Sequence, residues 1–188
     1  MRILGFLSAA GLAAAIVVLP AGRVSAGLFD SVLSSQPQRS QVVARHLVSF
    51  PPGYEPGTIY VQFSRARLYY VLPNGRAISY PIATPTGEAR WSGEARVSAK
   101  KVNPGWTPTA EMRRENPDLP AHVPGGHPQN PLGVRALYLG KSLYRIHGTD
   151  APWSVGQAVS HGCIRMFNQD VADLYQRVPI GTRVVVTW

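Results

Sequence analysis

Cysteine is nearly absent: Cys163 stands alone among 188 residues. A lone thiol cannot pair within its own chain, which excludes a disulfide scaffold. Acidic residues are also few, 10 Asp and Glu against 19 Lys and Arg, so the formal charge is +9. Sixteen of those cations are Arg. No internal repeat occurs, which excludes a solenoid. No recognised DNA-binding motif occurs either, and the Arg residues are scattered rather than gathered in a stripe, which speaks against a nucleic-acid partner. The length suits one domain and excludes a large multidomain enzyme. Glycine and proline, in contrast, are abundant, at 18 and 17. That is too many for a helical bundle and suggests short strands joined by many turns. With 45% hydrophobic and 15% charged residues, the composition is that of a folding chain and not a disordered one.

The N-terminus has its own character. After Met1-Arg2, an apolar, Ala-rich stretch runs from Ile3 to Leu19, and Pro20 closes it. Val24-Ser25-Ala26 then presents small residues in the pattern of a signal-peptidase site. Residues 1–26 are expected to be a secretory signal, cleaved after Ala26. An uncleaved membrane anchor is the competing reading, but 17 apolar residues lie at the lower edge of a span. Cleavage would leave no stable membrane span. No Cys follows the run, so a lipoprotein attachment site is missing. Without Arg2 and Arg23 the mature chain keeps 17 cations and 10 anions. A basic exported protein suits an anionic membrane surface or a polyanionic envelope polymer. The expected location is the periplasm or cell envelope. Solubility is the plainer account of the same charge.

Residues 27–54 read as a linker of low order, with a polar turn at Ser34 to Gln38. Val42 to Phe50 has room for one strand or short helix before Pro51-Pro52-Gly53 ends it. The domain is expected over residues 55–188. Thr58 to Phe63 is β-branched and aromatic, a strand pattern. Leu68 to Leu72 and Ala77 to Ile82 flank Asn74-Gly75, a two-residue hairpin signal. Residues 84–133 are Pro/Gly-rich with few apolar runs, too long for a featureless connection. They read as a functional insertion or lid with one short helix over Thr109 to Glu115. Arg135 to Leu139 and Ser142 to His147 are predicted strands around a Gly140-Lys141 turn. Asn168 is expected to cap a helix with Asp170 in its first turn. Val171, Leu174, Tyr175 and Val178 follow at helical spacing, and Pro179 and Gly181 stop it. Arg183 to Trp188 is a last strand. The fold class is mostly β, with one or two short helices.

A free thiol in an exported protein is a liability in an oxidising compartment, so it needs a reason. A small buried apolar residue is the plain account. The surroundings point elsewhere: Cys163 sits in Ser160-His161-Gly162-Cys163-Ile164-Arg165. Gly162 permits a tight turn and close approach of a substrate. His147, at the end of a predicted strand and followed by Gly148, and His161 are both available as bases. A thiol becomes a strong nucleophile as thiolate, and a nearby imidazole is the usual way to make it. Arg165 adds positive charge that favours the thiolate and can hold a carboxylate. Zinc competes for the same residues, with two imidazoles and one thiolate, but no fourth ligand is evident. A papain-like order is the weaker reading still, because no His follows Cys163. Ser98-Ala99-Lys100-Lys101 matches S-x-x-K, yet neither S-D-N nor K-T-G occurs, so Ser98 and Lys101 read as surface residues.

His147-Gly148-Thr149 followed by Ser160-His161-Gly162-Cys163-Ile164-Arg165-Met166 resembles the signature of the L,D-transpeptidase catalytic domain. Gly57 to Val61 with Leu68-Tyr69 resembles that family's first strands, and Asp170 to Tyr175 with Val178 to Thr182 resembles its closing helix and strand. The likeness covers roughly residues 56–188. Trp91-Ser92-Gly93 and Trp106-Thr107-Pro108 resemble one exported bacterial branch. The resemblance implies a β-sandwich-like fold, a peptidoglycan substrate and no metal or organic cofactor. It implies attack on a stem tetrapeptide, loss of the terminal D-alanine, a thioester, and an amine acceptor from a second stem peptide, an envelope protein or a free amino acid. Carried over by position, Cys163 is the nucleophile and His147 the base, with the Gly148 carbonyl orienting its ring. Backbone N–H groups of His161, Gly162 and Cys163 form the oxyanion hole, and the His161 ring stabilises the site. Arg165 binds a stem carboxylate or buttresses the loop, and Ser160 gives support. A non-catalytic peptidoglycan-binding module and an L,D-carboxypeptidase are the alternatives.

Overall fold

A computed structural model describes residues 44–188. The expected signal over 1–26 and the polar turn at 34–38 lie outside the described residues. The strands are β1 (His46–Ser49), β2 (Ile59–Gln62), β3 (Arg67–Leu72), β4 (Arg76–Pro81), β5 (Thr84–Pro85), β6 (Gly93–Val102), β7 (Arg135–Leu139), β8 (Arg145–His147), β9 (Ala158–Ser160), β10 (Ile164–Arg165) and β11 (Arg183–Thr187). Two helices join them, α1 (Ala110–Glu115) and α2 (Asn168–Arg177). Nine strands form one curled sheet in the order β1-β4-β3-β2-β11-β6-β7-β8-β10, and β5 pairs with β9. The architecture is mostly β, as the turn-rich composition predicts.

Alternation builds the core. Ile59, Val61, Leu68, Val184 and Val186 point inward from β2, β3 and β11 and are almost fully buried. Leu137, Ile146, Ile164 and Met166 meet them from the other side, and Val171 and Leu174 of α2 fill the space between. Fully burying each such side chain stabilises the fold by about 1.5–3 kcal/mol. The β3–β4 hairpin closes at Asn74 and Gly75, with φ of +61° and +65°. A two-residue turn with both φ positive matches the twist of the strands it joins, which is why Asn-Gly marks it.

Several expectations need correction. Within the segment read as a linker, Val42 to Phe50 does supply the strand it had room for, but that strand joins the sheet: β1 pairs antiparallel with β4 along its full length. It is an edge strand with mostly exposed side chains, so alternation is faint there. A ten-residue strand, β6, lies inside the Pro/Gly-rich segment 84–133. Val97 is its one buried residue, so no apolar run announces it. Its first half pairs with β11 and its second half with β7, with a register shift between Val97 and Ala99. That bulge lets the strand serve a different neighbour on each side of it.

The predicted strand from Ser142 shortens to Arg145–His147. Ser142 Oγ donates to the Leu139 carbonyl at 2.7 Å and accepts from Tyr144 N at 3.1 Å, which holds a turn wider than two residues. Helix α1 forms as expected, with Thr109 Oγ1 accepting from Met112 N, and buries no residue. Asn168 does not cap α2: Phe167 occupies the cap position, and the Asn168 amide turns elsewhere. No helix among the described residues is long and apolar enough to cross a membrane.

Candidate active site

β8 and β10 run parallel, with Ile164 beside Ile146 and Arg165 beside His147. Both isoleucines are fully buried in the core. Alternation therefore turns Arg145, His147 and Arg165 to the opposite face. One step further along this register brings Cys163 alongside Arg145. Although β10 has two residues, both its edges are tied. Met166 N donates to the His147 carbonyl at 2.8 Å, and Arg165 exchanges backbone bonds with Ala83 at 2.8 and 3.2 Å.

The loop before the thiol is pinned from three sides. Buried Ser160 donates its hydroxyl to the Cys163 carbonyl at 2.5 Å, closing a tight turn. Trp91 Nε1 donates to the Gly162 carbonyl at 3.1 Å, and its ring stacks on Tyr144 with centroids 4.7 Å apart. Gly162 has φ +119°, and a Cβ there would lie 2.6 Å from the Tyr144 ring. Only glycine satisfies both conditions. Because a peptide unit is planar, holding the Gly162 carbonyl also sets the direction of the Cys163 N–H. Among the described residues none accepts from the backbone N–H of His161, Gly162 or Cys163.

His147 is buried, and its Nδ1 lies 2.6 Å from the Gly148 carbonyl. A carbonyl only accepts, so Nδ1 carries the proton and Nε2 keeps its lone pair. Burial pushes the imidazole pKa down to about 3; the Arg165 and Arg145 charges add to this, and the Gly148 bond opposes it. The adjoining turn is held by Asn168. Its Oδ1 accepts from Val134 N at 3.3 Å and Thr149 N at 3.1 Å, and its Nδ2 donates to the Thr149 carbonyl at 3.0 Å. Gly148 leaves room for that amide, since a Cβ there would lie 2.1 Å from Asn168 Oδ1.

The Cys163 thiol is half-buried and donates to the Leu143 carbonyl at 3.6 Å. Burial pushes its pKa up. The charge, backbone N–H and guanidinium of Arg145 pull it down, as does the Arg165 charge. The site thus pairs a neutral imidazole with a thiol whose ionisation depends on its cationic neighbours.

The β8–β10 pair sets His147 beside Arg165, Gly148 follows His147, and Ser160 and Gly162 shape the loop that leads to Cys163. His161 turns outward, and its Nε2 lies 3.0 Å from Glu115 of α1, with both side chains about half exposed. The zinc reading loses its convergence. His161 faces Glu115, and no group of three metal-ligating side chains gathers among the described residues. Sequence reasoning missed Arg145, Tyr144 and the roles of Trp91 and Asn168. Arg145 had a signal: it alternates with His147 on one strand.

Residues 56–186 match the family model YkuD, described as the L,D-transpeptidase catalytic domain. The probable L,D-transpeptidase YbiS of Escherichia coli (strain K12) is 43% identical over 136 residues, 67% of this chain and 43% of that protein. The chain thus spans less than half the length of that curated relative. A solved structure from Brucella melitensis, named as a probable carnitine operon oxidoreductase, is 41% identical, covering 82% of this chain and 97% of that one at a TM-score of 0.53. The L,D-transpeptidase from Mycobacterium smegmatis shares the fold at 18% identity, with a TM-score of 0.55 over 70% of this chain and 58% of that one. By the match over 56–186, the chain belongs to the L,D-transpeptidase catalytic domain family.

Proposed function

We propose that the protein is an exported peptidoglycan L,D-transpeptidase. The observation that carries this is a buried, neutral His147 on β8, which pairs with the strand directly following Cys163, together with three backbone N–H groups without acceptors among the described residues. His147 Nε2 takes the thiol proton as sulfur attacks the carbonyl of the L-centre before the terminal D-alanine. The N–H groups of His161, Gly162 and Cys163 receive the oxyanion, where fixed donors stabilise developing charge at no cost in reorganisation. His147 returns the proton to the departing D-alanine amine, and a thioester remains. A second amine then attacks the thioester, and His147 acts as base again. The Gly148 carbonyl fixes the tautomer that this needs. Arg165 grips a stem carboxylate through its planar fork, and Ser160 holds the carbonyl of the nucleophile. The thiol, imidazole and aligned N–H groups suit acyl transfer.

Purified protein incubated with disaccharide-tetrapeptide should release D-alanine and yield 3→3 cross-linked dimers by mass spectrometry. Intact-mass analysis should show an acyl adduct that Cys163→Ala abolishes. Tripeptide without dimer would make the protein an L,D-carboxypeptidase, with water as acceptor. No adduct and no product would leave a wall-binding module. Export is proposed on the pattern of residues 1–26, and a mature N-terminus at Gly27 in envelope-derived protein would support it.

A further inference from the structure

Arg145 has no part in the reaction steps just described, yet its charge acts on the Cys163 thiol ahead of that of Arg165. It precedes His147 by two residues on β8, on the same face, next to the Ile146 that pairs with Ile164, and its backbone N–H and guanidinium act on the Cys163 thiol. Its guanidinium packs over the Tyr138 ring, 5.1 Å from the centroid, which confines it. Its Nε is buried and has no hydrogen-bond partner among the described residues. A buried N–H without an acceptor costs about 1–3 kcal/mol. A fold that tolerates such a group beside a reactive sulfur has an acceptor in reserve. A neutral thiol is a weak acceptor that here donates its own proton to Leu143, and a thiolate is a strong one.

We infer that Arg145 is a catalytic residue that receives the negative charge on the Cys163 sulfur, its unpaired N–H gaining an acceptor when the thiol ionises. This rests on Cys163 being the nucleophile. In the step itself the Sγ–H bond breaks, the proton passes to His147 Nε2, and the electron pair stays on sulfur facing the Arg145 guanidinium. His147 resists becoming a permanent cation, because it is buried and has Arg145 and Arg165 for neighbours. A resting imidazolium is therefore a poor source of positive charge for the sulfur. Arg165 adds charge from β10. His161 contributes little, since its ring is paired with Glu115 in solvent. Arg145 carries the same charge at every working pH and is held by a ring and a strand. It lowers the cost of the thiolate without competing for its proton.

The test is the pH dependence of Cys163 alkylation in the wild type, Arg145→Gln and Arg145→Lys. Below the thiol pKa the rate follows the thiolate fraction, so a rise of one pKa unit lowers labelling about tenfold. Arg145→Gln should raise the midpoint by at least about one unit and slow iodoacetamide labelling at neutral pH about tenfold or more. Its high-pH plateau should stay within about twofold of wild type, which reports intact folding and access. The ratio of iodoacetate to iodoacetamide rates should fall several-fold, because that ratio reads the positive potential at the sulfur. Arg145→Lys should lie between. A Gln variant that titrates like the wild type overturns the inference, whatever its turnover. If the Gln variant loses the plateau through misfolding, the Lys variant decides: a raised midpoint supports the role and an unchanged one overturns it. Acyl-adduct formation from tetrapeptide is scored separately on the wild type. Its absence sinks the transpeptidase reading and leaves the titration standing.

Discussion

His147 shows how one side chain links stability to pH. Its folded pKa, about 3, lies below the ordinary histidine value. The unfolded chain therefore binds a proton near pH 6.5 that the folded chain refuses until near pH 3. With more protons bound in the unfolded state, stability is full above about pH 6.5 and falls as pH drops through that window. The slope from one such group is at most about 1.4 kcal/mol per pH unit. His147→Gln has no proton to gain and can still donate to the Gly148 carbonyl. Urea unfolding between pH 7 and pH 4 should show a shallower acid loss in the variant. Equal slopes in both proteins would mean that the imidazole titrates normally in the fold.

The turn from β8 into the 148–157 loop depends on α2, which sends Asn168 back to it. The amide closes three hydrogen bonds to backbone at Val134 and Thr149. Asn168→Ala leaves those groups without partners in a partly buried place, a loss of about 1–3 kcal/mol. It should also lower kcat more than it raises KM, because the turn carries the carbonyl that orients His147. Gly148→Ala attacks the same contact from the other side, pushing a methyl to 2.1 Å from Asn168 Oδ1. In the double variant that oxygen is gone. The two losses should then sum to more than the measured double loss, by at least about 0.5 kcal/mol. Additive losses in a double-mutant cycle would show that the two residues do not meet. Coupled losses would make Asn168 a positioning residue, acting through Gly148 on His147.

Across the whole molecule the two halves of the sheet meet at β6, and Lys100 ties that strand to α2. Its ammonium donates to the Tyr175 and Val178 carbonyls, both at 2.6 Å, and lies 4.2 Å from the Tyr175 ring centroid. Those carbonyls belong to the last turn and the C-cap of the helix, where a cation is favourable. Lys100→Met keeps the aliphatic stem and removes the donors. It should lower unfolding stability by about 1–3 kcal/mol, read from urea midpoints at constant m-value. Cys163 alkylation should change little, since Lys100 lies away from the thiol. A variant as stable as the wild type would mean that water replaces the ammonium at no loss.

Features written in neighbouring residues were legible from the chain. Asn74-Gly75 announces its hairpin because the turn's φ angles are a property of those two residues. Val171, Leu174 and Val178 announce the buried stripe of α2 in the same way, and all three are buried. The grouping of Cys163, His147, Gly148 and Ser160 is an expectation from a motif; the structure shows His147 bonded to the Gly148 carbonyl and Ser160 to the Cys163 carbonyl. Other features depend on partners distant in sequence. β6 has one buried residue because its neighbours in the sheet, not its own pattern, hold it in place. β1 is recruited by the free edge of β4. Asn168 resembles a cap because a side-chain amide before a helix normally bonds locally, but Gly133 and Gly148 leave a gap that only this packing creates. Trp91 reaches a carbonyl 71 positions away. Arg145 meets Cys163 through strand register. Local preference is set by a residue and the few beside it. Register, curvature and burial are set by the whole sheet, and these are what turn a cysteine and a histidine into a site.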